Sequence, residues 1–247
     1  MDDKLRKRIE SFVESRIVSF HESRADNLSK LKLKDVLKAK NPYLFRAKSL
    51  ESAPDLVRAI LDARLSSSEE GSFGIFMEEL AIFVATQTSS GHKSSATGID
   101  IELTREGVRY LIAVKSGKSW GNASQHAALQ KNFATAVKVL RQSQQVGELQ
   151  PTLGICYGKF KKVDNGKFLH IGGQSFWHLL SGDPELYTDI VEPLGHRAKE
   201  FNDAFEVEKS KAYNRMTGEF LDEYCSKSGA IQWKKLVEFV SQDLTPI

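Results

Sequence analysis

Two runs of alternating residues, Gly98-Ile-Asp-Ile-Glu-Leu-Thr104 and Val108-Arg-Tyr-Leu-Ile-Ala-Val-Lys115, flank the turn signal Arg105-Glu106-Gly107. They read as a β-hairpin. A turn centred on Glu106-Gly107 sets Asp100 opposite Ala113 and Lys115 opposite Gly98. Side chains alternate across a sheet, so Ile99, Ile101, Leu103, Tyr110, Ile112 and Val114 are expected on a core face. Asp100, Glu102, Arg109, Ala113 and Lys115 then share the opposite face, the small Ala113 leaving room beside an acid and a lysine. This pairing suits metal-assisted phosphodiester cleavage. A carboxylate is a hard oxygen ligand for Mg2+, which needs only one or two of them beside waters and substrate oxygens. The ion would polarise the phosphate and lower the pKa of an attacking water. The lysine would hold and deprotonate that water, or neutralise charge growing on the phosphorane.

Helices must position this hairpin. Leu5, Ile9, Phe12, Val13 and Ile17 recur at helical spacing, and Pro54 opens a second helical run ending near Leu65. Asn41-Pro42-Tyr-Leu-Phe breaks the chain between them, and Ser66 to Ser72 reads as a polar hinge. A helix from about Phe73 to Thr88 carries Phe73, Phe76, Leu80 and Phe83 as its apolar stripe. Its acids Glu78 and Glu79 flank that stripe, and Glu78 shares a side with Ile75 and Ile82, which directs it toward the sheet. After the hairpin, a Gly/Ser loop over 116–121 leads into a helix from Asn122 to about Gln145, N-capped by Asn122 or Ser124. Leu129, Phe133, Val137 and Leu140 are its buried stripe. Strands follow over Pro151–Gly158 and Phe168–Ile171, with the turn Asp164-Asn-Gly166 before the second, and from Gln174 the chain is helical again. The order is helices, then β-β-α-β-β, then helices. This predicts an α/β fold, read as a single domain over 1–247, with a helical N-terminal region over 1–70, a core over 71–173 and a helical C-terminal region over 174–247.

Over 247 residues, 35 Lys and Arg stand against 32 Asp and Glu, a formal charge of +3. The average conceals a segregation. Residues 108–170 hold ten bases and only Glu148 and Asp164 as acids, a local +8 that leaves −5 elsewhere. Such a block is an electrostatic footprint for a polyanion, usually nucleic acid. No apolar run approaches a membrane span, and the charged start MDDKLRKRIESF lacks a secretory signal, so a cytoplasmic protein is expected. Cys156 and Cys225 are too few for a disulfide framework, and no two histidines sit at helical i, i+4 spacing to suggest zinc. Gly117-Lys118-Ser119 imitates the end of a phosphate-binding loop, but the required upstream glycine is Ile112. Cys156 and the pairs Phe176-Trp177 and Leu179-Leu180 read as core.

An acid on a helix, Asp on one strand, x-x-Lys ending its partner and then a helix together resemble the PD-(D/E)XK nuclease core. The stretch from Gly98 to Asn122, the helix Gly74-Ile-Phe-Met-Glu78-Glu-Leu-Ala and the segment Gly173-Gln-Ser-Phe-Trp177 resemble type II restriction endonucleases in particular. The resemblance covers roughly residues 70–180. It implies a restriction-endonuclease-like core, a mixed central sheet flanked by helices, with helical N- and C-terminal extensions. It also implies Asp100 as metal-binding acid, Lys115 as motif lysine and Glu78 as the helical acid completing a Mg2+ site. Ile99 replaces the motif proline, and Ala113 stands where the pattern has Asp or Glu. Glu78 is the first candidate to replace that acid, with Glu79 or Glu102 second. Gln125 is either an accessory polar group near the metal or a helix-capping residue.

The implied activity is Mg2+-dependent, site-specific cleavage of double-stranded DNA by a symmetric homodimer matching a palindromic site. Lys118, Lys159, Lys161, Lys162 and Lys167 are expected to contact phosphates, with Trp120 and Asn122 as further DNA-binding candidates. Trp120 also reads as a packed loop anchor. The alternatives are a decayed, non-cleaving DNA-binding protein, suggested by Ala113, and a repair or junction-resolving nuclease on the same core.

Overall fold

The sheet is built around the expected hairpin. In the computed structural model, which describes residues 2–88, 91–142, 147–159, 163–164 and 166–243, Val108–Lys115 pairs antiparallel with Ile101–Arg105, Ile101 opposite Ile112. The helices are α1 (Asp3–Lys30), α2 (Leu33–Lys38), α3 (Pro42–Ala47), α4 (Ala53–Thr88), α5 (Ala123–Gln142), α6 (Gln174–Ser181), α7 (Leu186–Asp189), α8 (Val191–Leu194), α9 (Ala198–Tyr224) and α10 (Trp233–Ser241). The strands are β1 (His92–Lys93), β2 (Ile101–Arg105), β3 (Val108–Lys115), β4 (Glu148–Ile155), β5 (Val163–Asp164) and β6 (Leu169–Gly172). They form one six-stranded sheet ordered β1-β2-β3-β4-β6-β5. Parallel β3–β4 and β4–β6 pairs lie between antiparallel edges. The crossover from β3 to β4 runs through α5, as a parallel pair requires.

The described chain sorts into two compact units. The first, Met1–Val18 with Ser72–His196, contains the sheet. On one face, Ile101, Leu103, Ile112, Val114, Leu169 and Ile171 join Ile9 and Val13 of α1, Phe76, Leu80 and Val84 of α4, and Phe176, Trp177 and Leu180 of α6. On the other, Leu111, Ala113, Leu153 and Ile155 join Leu129, Phe133 and Ala136 of α5. Each fully buried Leu, Ile or Phe contributes about 1.5–3 kcal/mol. The Trp177 indole N–H donates to the Cys156 carbonyl at 2.8 Å, tying α6 to the end of β4. The second unit, Ser19–Gly71 with Arg197–Ile247, is helical around Leu28, Leu56, Ile60, Phe205, Met216 and Phe220. Residues 174–196 lie in the first unit and residues 197–247 in the second.

Several expectations are corrected. Ser66 to Ser72 is helical rather than a loop: it lies inside α4, where the Ser67 hydroxyl returns its hydrogen bond to the Ala63 carbonyl at 3.0 Å and Glu69 accepts from Arg24. Ile99 packs with Leu111 and Ala113 rather than with Ile101. Its N–H bonds the Ala96 carbonyl just after Gly98 (φ +75°), so strand alternation has not yet begun there. Ala113 leaves no open space, being fully buried in the cluster with Leu129 and Phe133. Ile75 is 63% exposed, so it does not direct Glu78 inward.

Candidate active site

Asp100 lies just before β2, where its N–H donates to the Ile112 carbonyl at 2.8 Å and its Oδ2 accepts the Val114 N–H at 2.6 Å. A short side chain clamped to the neighbouring strand has little rotamer freedom, so its carboxylate is oriented before any ligand arrives. Lys115 ends β3, its carbonyl accepting the Cys156 N–H at 2.9 Å, and its Nζ stands 5.4 Å from the centroid of the Trp120 ring.

Glu78 reaches the same place from α4. Its carboxyl is held above the ordinary glutamate range, chiefly because burial disfavours the charged form and then because Asp100 repels it. Lys115 and Lys93 oppose that shift. Glu78 therefore sits within electrostatic reach of both Asp100 and Lys115, although α4 and the hairpin approach from different layers. Cys156 feels both Glu78 and Lys115, but burial dominates and pushes its thiol up to about 12. It is protonated at neutral pH and unsuited to be a nucleophile.

The other candidate acids are engaged elsewhere. Glu79 pairs with Arg16. Glu102 is buried, accepting from the Ser94 hydroxyl at 2.7 Å and from Arg109 at 2.6 Å. Burial pushes the Glu102 carboxyl up, but the bonds to Ser94 and Arg109 and the arginine's charge outweigh it and leave it low. Gln125 is a cap: its Oε1 accepts the Asn122 N–H at 2.9 Å while Asn122 Oδ1 accepts the Gln125 N–H at 3.0 Å. This reciprocal pair satisfies free amides at the start of α5.

Lys118 and Lys159 are exposed and follow the C-terminal ends of β3 and β4, which the register Lys115↔Ile155 brings level. Lys167 does not join this group. It precedes β6, whose Leu169 pairs with Thr152, and so lies about 16 Å down the strand direction from Lys115, bonded to Gln130. Lys161 and Lys162 lie outside the described residues. Two groups at this end escaped sequence reasoning. Lys93 comes from a two-residue strand whose pairing with Ile101 brings it within electrostatic reach of Glu78. Tyr157, 62% exposed, directs its hydroxyl over Gly117. Neither carries a sequence signal, since both positions depend on strand pairing.

Among the described residues no group of three or more His, Cys, Asp and Glu is arranged to hold a metal. Glu78 and Asp100 nonetheless supply two hard oxygen donors, enough for Mg2+ when waters and phosphate complete the shell. Repulsion between the two carboxylates is what a divalent cation would relieve.

The mixed sheet, with α4 and α5 on opposite faces and an Asp–Lys hairpin at one end, is the restriction-endonuclease-like α/β fold of the PD-(D/E)XK nucleases. The family model for type II restriction endonuclease EcoO109I matches residues 7–202, and the chain belongs to that family. No curated protein matches it. Membership makes it a DNA endonuclease, a hydrolase of phosphodiester bonds. No helix of the described residues is long and apolar enough to cross a membrane.

Proposed function

We propose that this chain is a Mg2+-dependent type II restriction endonuclease that cuts double-stranded DNA at a specific sequence and works as a symmetric homodimer. The observation that carries the reading is the approach of Glu78 to Asp100 and Lys115. The family acid is replaced by Ala113, and Glu78 provides the second carboxylate from another layer. Glu78 and Asp100 would hold the cation, which supplies Lewis acidity toward the scissile phosphate and its attacking water. Asp100 contributes a fixed oxygen, oriented by the Val114 N–H. Lys115 donates hydrogen bonds to the reacting phosphate, offsetting charge where it develops. Lys118 and Lys159 bind flanking phosphates, which makes affinity fall as salt rises.

Incubating the protein with plasmid and Mg2+ is expected to yield discrete fragments whose sequenced ends share one site. Asp100→Ala, Lys115→Ala and Glu78→Ala are expected to abolish cutting while retaining DNA binding. Normal cutting by the first two variants would overturn the site assignment. The buried Ala113 favours a second reading, a DNA-binding protein that has lost catalysis. Specific binding with no cleavage in Mg2+ or Mn2+ would establish that instead.

A further inference from the structure

We infer that Trp120 is a positioning residue for Lys115, and that His126 braces it. The inference rests on the nuclease reading for its functional consequence but on geometry for its contact. The Lys115 ammonium stands 5.4 Å from the Trp120 ring centroid, within the range at which an aromatic face attracts a cation. Lysine has four rotatable stem bonds, and no hydrogen bond or ion pair to the Lys115 ammonium is formed among the described residues, so a fixed ring narrows where the nitrogen can sit.

The ring is itself held. Trp120 packs against the cluster containing Ile99, Ala113 and Leu129, and its backbone N–H donates to the Gly117 carbonyl at 3.2 Å. The His126 ring meets it edge-on, with centroids 5.2 Å apart and planes at 67°. Gly121 between them has φ +95°, and a Cβ there would lie 2.7 Å from His126 Nε2, so glycine permits both the turn and the approach of the imidazole. The reciprocal Asn122–Gln125 cap then fixes the first turn of α5, which carries His126. The loop after the motif lysine is thus built as a support from backbone to ring to ammonium.

Two measurements test this. In metal-free, DNA-free protein, the indole N–H resonance of Trp120 is identified by its loss in Trp120→Phe. Lys115→Met is expected to shift that resonance and leave that of Trp233 in place. An unmoved signal would overturn the contact whatever the enzyme does. In single-turnover cleavage at saturating protein, Trp120→Leu is expected to lower the rate about 5–30-fold, the equivalent of a partly exposed cation–π contact. DNA affinity without metal is expected to stay unchanged, and Trp120→Phe to restore the rate to within about 3-fold. His126→Ala, which leaves the indole in place, is expected to give a smaller loss of the same kind. A Trp120→Leu protein with weakened DNA binding and a normal saturating rate would show that Trp120 contacts DNA instead. Absence of cleavage by wild type would refute the nuclease reading, while the resonance shift would still decide the contact.

Discussion

Glu102 and Glu78 compete to supply the acid missing at position 113, and stability separates them. Glu102 is 6% exposed and its carboxylate is bonded to Ser94 and Arg109. Arg109→Met would leave that carboxylate buried with one neutral partner. Breaking a fully buried pair costs roughly 3–5 kcal/mol. The Arg109 side chain is 35% exposed, so water replaces some of the interaction and about 2–3 kcal/mol is expected. At roughly 2–4 °C per kcal/mol for a chain of this size, Tm should fall by about 4–12 °C. Glu102→Gln keeps a partner for Ser94 and loses only the charge-assisted bond, about 1–2 kcal/mol. The double variant should cost less than the sum. The Glu102 carboxyl titrates below its unfolded value, so its contribution is present above about pH 4.3 and lost as pH falls through the lower folded value. The gap between wild type and Arg109→Met should therefore close in acid. Urea denaturation from pH 3 to 8, with cleavage assayed alongside, tests this. A Glu102→Gln protein of wild-type stability but no cleavage would refute the reasoning and make Glu102 the metal-site acid.

Glu78 should behave in the opposite way. Its folded pKa is raised, so stability associated with its protonated form is present at low pH and lost as pH rises through the folded value. Glu78→Gln is expected to melt above wild type at pH 8 and level with it near pH 4, while cleaving nothing; equal melting at pH 8 would contradict the burial and repulsion described. Mg2+ at about 100 times its dissociation constant should stabilise wild type by about 2.7 kcal/mol, and Asp100→Asn should lose most of that shift in a thermal melt. Gly154→Ala would drive a Cβ into the ring of the fully buried Phe176. Overpacking of this kind costs about 1–3 kcal/mol, measurable by urea denaturation, and a change below about 0.5 kcal/mol would mean that α6 moves aside freely.

Local pattern was enough for the hairpin. Alternation over 101–114 with one Glu-Gly turn determines which residues face each other, because a one-residue slip would turn every apolar side chain outward. The Ile101–Ile112 register follows, and with it the neighbourhood of Asp100 and Lys115. The stripes of α4 and α5 were likewise legible, since burial along a helix recurs at its own period. Alternation failed at Ile99, where a turn at Gly98 replaces the strand, and polarity misled at 66–72, where serines satisfy themselves within a helix. The motif residues and the block of charge were thus written in the order of the chain. The surroundings of the candidate acids were decided only in three dimensions. Glu78, Glu79 and Glu102 are alike as carboxylates, and nothing in their spacing tells that Arg16 takes one and Arg109 another. Arg16, 63 residues away, takes Glu79, and Arg109, across the hairpin turn, takes Glu102, whereas Glu78 feels the charge of Asp100.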